Sequence, residues 1–122
     1  VVHQHDRLLT AAIFPTPTIA RRLVRQDWDR WPLDAFLPMI YHSFYNEDLA
    51  WIEASTREGV TALAGRAPLY AGLYVPALTP DELAQATRHA LDGGAAGVAL
   101  FEAQNPTEAH WNALEPVLRA AR

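Results

Sequence analysis

Short continuous apolar runs alternate along the chain with longer stretches in which apolar residues return every three or four positions. The runs fall at 8–14, 35–41, 68–75 and 97–101. None shows the in-out alternation of a half-exposed antiparallel strand, so each is predicted to be a strand buried on both faces. The stretches between them carry helix punctuation. After Pro15-Thr16-Pro17, Thr18 is the expected cap of a helix with Ile19, Leu23 and Val24 on one side and Arg21, Arg22 and Arg25 mostly on the other. That helix should end near Trp31-Pro32. Asn46 is the expected cap of a second helix carrying Leu49, Ile52, Thr56, Val60 and Leu63, with Gly65 as its stop. Thr79-Pro80-Asp81-Glu82 opens a third helix with a capping threonine, proline at the first helical position and glutamate at the third, and Gly93-Gly94 ends it. Asn105-Pro106-Thr107-Glu108 opens the last, which contains Trp111, Leu114 and Leu118 and a kink or restart at Pro116. Within the second run Pro38 lacks a ladder donor and belongs at a strand start, an edge or a bulge.

The predicted strands recur at intervals of roughly 30 residues, the length of a βα unit, with no linker or low-complexity stretch between them. The expectation is an α/β protein with a parallel sheet, a single domain over 1–122 made of four consecutive βα units. A complete TIM barrel takes about 250 residues, so four units amount to half of one. The rival architecture is an open flavodoxin-like sheet. Against it stands the absence of any G-x-G-x-x-G or P-loop sequence at a helix start. In favour of the barrel, polar and aromatic residues gather after three of the four strand ends, where barrel active sites are built.

Composition narrows the function classes. The 122 residues are 50% hydrophobic and 20% charged, as in an ordinary soluble globular domain. The formal charge is −4, all ten Lys-plus-Arg positions are arginine, and these occur in ones and twos. Nucleic acid is therefore not an expected partner, and Arg21, Arg22 and Arg25 read as a solvated helix face. The absence of cysteine removes disulfides, thiol chemistry and thiolate zinc sites, and leaves the compartment open. No apolar run approaches the roughly 20 residues of a membrane span, so no membrane is expected. The start, Val1-Val2-His3-Gln4-His5, has no methionine and is not a signal peptide, as in a processed chain or a piece of a longer one.

The segments Phe14-Pro15-Thr16-Pro17, Val24-Arg25-Gln26-Asp27-Trp28-Asp29-Arg30-Trp31 and Leu33-Asp34-Ala35-Phe36-Leu37-Pro38-Met39-Ile40-Tyr41 resemble the glycoside hydrolases of the family-10-like TIM-barrel group. The resemblance continues through Tyr70-Ala71-Gly72-Leu73 and Gly97-Val98-Ala99-Leu100-Phe101, and Gln-Asp-Trp and Pro-Met-Ile-Tyr are its more specific parts. It spans nearly the whole chain as the carboxyl-terminal half of such a barrel, strands five to eight. It implies a TIM-barrel fold and carbohydrate as the substrate class. Barrel glycosidases commonly carry an acid carboxylate after the fourth strand, which this chain lacks.

Glycoside hydrolysis needs two carboxyl groups, one protonated and one ionised. Glu102, just beyond the fourth strand, is the first candidate. Asp48, after the second strand, is the other, although it and Glu47 also sit where acids stabilise a helix N-terminus. Asp81 and Glu82 are explained by their capping role, and Asp27 and Asp34 lie at the structural end of the units. Tyr41, His42, Tyr45 and Tyr74 fall at strand ends and are the predicted substrate contacts, with Phe44 beside them; aromatic faces cover the apolar side of a pyranose. Trp28, Trp31, Trp51 and Trp111 read as buried against the sheet. His3 and His5 make a poor metal pair at a chain terminus, and neither His89 nor His110 stands out, so no metal and no cofactor are expected. There is no G-x-S-x-G elbow for serine hydrolase chemistry. The leading expectation is a glycoside-hydrolase-like half-barrel completed by homodimerisation or by an amino-terminal half. The competing ones are a non-catalytic carbohydrate-binding or scaffold module, and an inactive fragment of a larger glycosidase.

Overall fold

In the computed structural model, which describes residues 1–121, strands and α-helices alternate along the chain. The order is β1 (Thr10–Ile13), α1 (Pro17–Val24), β2 (Ala35–Pro38), α2 (Ala50–Leu63), β3 (Tyr70–Tyr74), α3 (Pro80–Asp92), β4 (Gly97–Phe101) and α4 (Glu108–Ala120). Every strand pair is parallel, as the continuous apolar runs predict. β1 pairs with β2 from Thr10↔Ala35 to Ile13↔Pro38, and β3 with β4 from Tyr70↔Gly97 to Tyr74↔Phe101. These form two two-stranded sheets, joined edge to edge by parallel bridges at Phe36↔Leu69 and Met39↔Gly72.

Pro38 explains why the sheet divides there. The amide of Phe36 donates to the Pro68 carbonyl at 3.0 Å. In a parallel ladder the next donor on that side is two residues on, at 38, and proline has no N–H to give. The gap is crossed by close approach instead. A Cβ at Gly72 would lie 2.8 Å from the Pro38 carbonyl oxygen and 3.3 Å from the Met39 Cα, so the two pairs of strands meet where a side chain is missing.

One face of the strands is covered. Ile13, Phe36, Ile40, Ala71 and Leu73 are buried and form a single core with Ile52, Leu83, Ala86 and Leu114 from α2, α3 and α4. Consecutive helices pack neighbour to neighbour along that side. The opposite face carries Ala12, Leu37, Met39, Gly72 and Ala99 around a shallow hollow of about 120 Å³, and Tyr70 on the same face is exposed.

Local chemistry moves several helix starts from their predicted places. Thr16, not Thr18, caps α1: its hydroxyl accepts from the Ile19 amide at 3.0 Å and Pro17 takes the first helical position. Asn46 does not cap α2. It adopts a left-handed conformation, φ 53°, and closes the short turn His42–Tyr45, while the Asp48 carboxylate accepts the Trp51 amide at 3.1 Å where α2 begins. α2 stops at Ala64, φ 50°, one residue before the expected Gly65. The Thr79–Glu82 capping box forms as predicted. Thr107 caps α4 with His110 in the position usually held by glutamate or glutamine, and α4 runs through Pro116. The tryptophans divide: Trp28 is fully buried, whereas Trp111 is 50% exposed.

Candidate functional site

Register brings the predicted aromatic residues together. The pairing Tyr74↔Phe101 places those two side chains on the same face at the carboxyl ends of β3 and β4. The offset set by Met39↔Gly72 brings Tyr41 opposite Tyr74. Tyr41 accordingly lies 5.5 Å from Tyr74 and 5.8 Å from Phe101, ring centre to ring centre, and Tyr74 stacks on Phe101 at 6.2 Å. Phe44, from the turn after β2, closes against this row edge-on, 5.5 Å from Tyr41 and 4.9 Å from Tyr74. Phe44 and Phe101 remain exposed. The result is an aromatic platform spanning the ends of three strands, open to solvent on one side. Burial pushes the Tyr41 phenol above its ordinary range, so it stays protonated at neutral pH and can donate a hydrogen bond.

Tyr45 is not part of the platform. It packs on Trp51 at 5.4 Å, in the first turn of α2, and burial there raises its phenol too. His42 is half-buried, and its Nδ1 is enclosed without a partner among the described residues. It stands close enough to α3 to add a small electrostatic pull on Glu82. The Glu82 carboxylate is held below its usual range mainly by the Thr79 backbone amide and the Thr79 hydroxyl.

Glu102 is exposed just past β4, in a turn whose ends bond each other. Its amide donates to the Asn105 side-chain oxygen at 3.2 Å, and the Asn105 amide donates to the Glu102 carbonyl at 3.0 Å. Its carboxylate makes no hydrogen bond or ion pair among the described residues. Asp48, the second predicted carboxylate, is occupied at the start of α2. The remaining acids near the structural end are also engaged. Asp34 accepts from the Leu9 amide at 2.6 Å and pairs with His3 at 2.8 Å, and Asp27 pairs with Arg21 at 2.5 Å.

Two residues of this region were not singled out from the sequence. Phe101 reads simply as the end of an apolar run, and only the strand register shows that it extends the tyrosine row. His110 reads as a helix residue of no note, yet it is buried and ties two loops at the strand ends together. Its Nε2 lies 2.8 Å from the Leu78 carbonyl, and its Nδ1 accepts the Thr107 amide at 3.1 Å. Against a carbonyl Nε2 can only donate, and Nδ1 also lies 2.8 Å from the Thr107 hydroxyl. The signal was available in the spacing Thr107–His110, a capping box with histidine at the third position.

A cavity of about 680 Å³ lies elsewhere, between α1 and α2. Its charged groups are satisfied internally: Arg57 pairs with Glu53, Arg21 with Asp27 and Asp29, and Glu58 accepts the Thr18 amide. No group of three or more metal-ligating side chains occurs among the described residues. No helix there is long and apolar enough to cross a membrane. Comparison with protein-family models, curated proteins and solved structures gave no match.

Proposed function

We propose that this chain is a glycoside-hydrolase-like half of a (β/α)8 barrel that binds carbohydrate across the ends of β2, β3 and β4. The observation that carries the reading is the platform of Tyr41, Tyr74 and Phe101 with an unpaired carboxylate, Glu102, beside it. A pyranose presents C–H groups on one side and hydroxyls around its rim, so it matches flat aromatic rings flanked by polar groups. Phenol donors on Tyr41 and Tyr74 and the nearby His42 are suited to the rim.

Hydrolysis requires a second carboxyl group, about 5 Å from the first for retention or about 6.5 to 9.5 Å for inversion. Asp48 is committed to a helix start, so the partner of Glu102 comes from the units that complete the barrel. Parallel strands covered by helices on one face and bare on the other support such completion, because parallel sheets are stable chiefly when both faces are covered.

The test is calorimetric titration with a panel of oligosaccharides, alongside hydrolysis of chromogenic glycosides. Tyr74→Ala is expected to weaken binding about tenfold, equivalent to about 1.4 kcal/mol. Glu102→Gln is expected to keep binding and abolish turnover. Unchanged turnover in that variant removes Glu102 from the chemistry; binding without turnover in the unaltered chain reduces the protein to a carbohydrate-binding module; no binding rejects the reading.

A further inference from the structure

We infer that the sugar taken by the platform of Tyr41, Tyr74 and Phe101 is a cationic one, a pyranoside carrying a free ammonium group. The inference rests on the carbohydrate reading above and names the substrate class of that same site.

The first observation is how charge divides between the two ends of the strands. The segments that follow the strands' carboxyl ends, 14–18, 39–49, 75–82 and 102–108, hold Glu47, Asp48, Asp81, Glu82, Glu102 and Glu108 and no arginine. The bases at this end are imidazoles, His42 and, in the first turn of α4, His110. The arginines stand on the helices or toward the opposite end, where Arg21 and Arg30 pair with Asp27, and Arg21 with Asp29. No ion pair among the described residues includes an acid from the platform end.

The second observation is what engages those acids. Asp48 and Glu82 accept backbone amides at the starts of α2 and α3, and Asp81 accepts the Gln85 side chain. Each helix N-terminus there carries about half a positive charge, and these two caps already answer α2 and α3. Glu47, Glu102 and Glu108 are exposed, and their carboxylates make no hydrogen bond or ion pair among the described residues. Glu102 directly follows Phe101, and Glu47 comes three residues after Phe44, so two of the three adjoin the platform along the chain.

The rings select the same charge as the carboxylates. The face of an aromatic ring is negative and attracts cations, and the row of Tyr41, Tyr74 and Phe101 is open to solvent on one side with Phe101 48% exposed. An ammonium group on a pyranose lying across this row meets both features. A uronate or sulfated sugar brings an anion to a surface with no fixed cation, and a neutral sugar leaves the three carboxylates unanswered.

The test is calorimetric titration of the unaltered chain with three oligosaccharides of equal length: a glucosamine oligomer, its N-acetylated counterpart and a galacturonic acid oligomer. The pH is set between the carboxylate and amine ranges. The glucosamine oligomer is expected to bind about tenfold more tightly than the acetylated one, the scale of one exposed ion pair with one exposed cation–π contact. The galacturonate oligomer should bind most weakly. Added salt should narrow the gap, because the carboxylates are exposed, and Glu47→Gln with Glu102→Gln should close it. Equal or tighter binding of the acetylated or galacturonate oligomer overturns the proposal and leaves the carbohydrate reading in place, as does a gap that survives both salt and the double substitution. Binding of none of the three overturns the proposal and the carbohydrate reading together.

Discussion

Asp34 shows how a single carboxylate can hold the start of this fold. It accepts the Leu9 amide and pairs with His3, fixing the approach to β1 from a residue 25 positions later. The Leu9 amide, and after it His3, keep the Asp34 carboxyl below its ordinary range. A carboxyl depressed in the folded state contributes stability that is fully present above its unfolded pKa and lost as pH falls through the folded value. Asp34→Asn is therefore expected to lower the melting temperature at neutral pH and to leave it unchanged well below the carboxylate range. The check is thermal unfolding followed across pH, and a constant difference at every pH would show that packing, not ionisation, is responsible. Gly72 works by absence. With backbone 2.8 Å from the position of its missing Cβ, Gly72→Ala must push β3 from β2, at a cost of about 1 to 3 kcal/mol measurable by urea unfolding.

At the scale of elements, His110 links the loop after β3 to the start of α4 through its two ring nitrogens. His110→Ala leaves the Leu78 carbonyl and the Thr107 amide without that partner, and a lost buried hydrogen bond costs about 1 to 3 kcal/mol. Loss of stability accompanied by faster amide exchange at Thr107 and around Asn105 is the expected result; exchange confined to α3 would count against the link. This device was hardly legible in the sequence, because a buried histidine is recognised by partners that lie 32 residues away. The strand-helix alternation was legible, since continuous apolar runs and capping threonines are local signals. Helix starts were legible to within a turn. Thr16 displaced Thr18 because proline favours the first helical position, and Asn46 went to a left-handed turn that asparagine tolerates.

For the whole molecule, the parallel sheet was predictable and its division was only half so. That Pro38 lacks a ladder donor is plain from the sequence, but the lost bond between β2 and β3 needs the register to be seen. The candidate site follows the same rule. Tyr41, His42, Tyr74 and Glu102 could be placed at strand ends from sequence. Which of them touch could not, and Tyr45 turned to Trp51 while Phe101 joined the row.

The narrow junction at Gly72 also has a mechanical meaning. Each pair of strands is laced internally along its length, but between the pairs the backbone is held at two points and the close approach around one glycine. The seam therefore carries less backbone pairing than either ribbon has within itself, and the shared core beneath it does the rest of the joining. Tyr41 belongs to one ribbon, Tyr74 and Phe101 to the other, so a few degrees of rotation about the seam changes the spacing of the rings. The spacing of the rings is thus set by a proline that cannot donate and a glycine that leaves room.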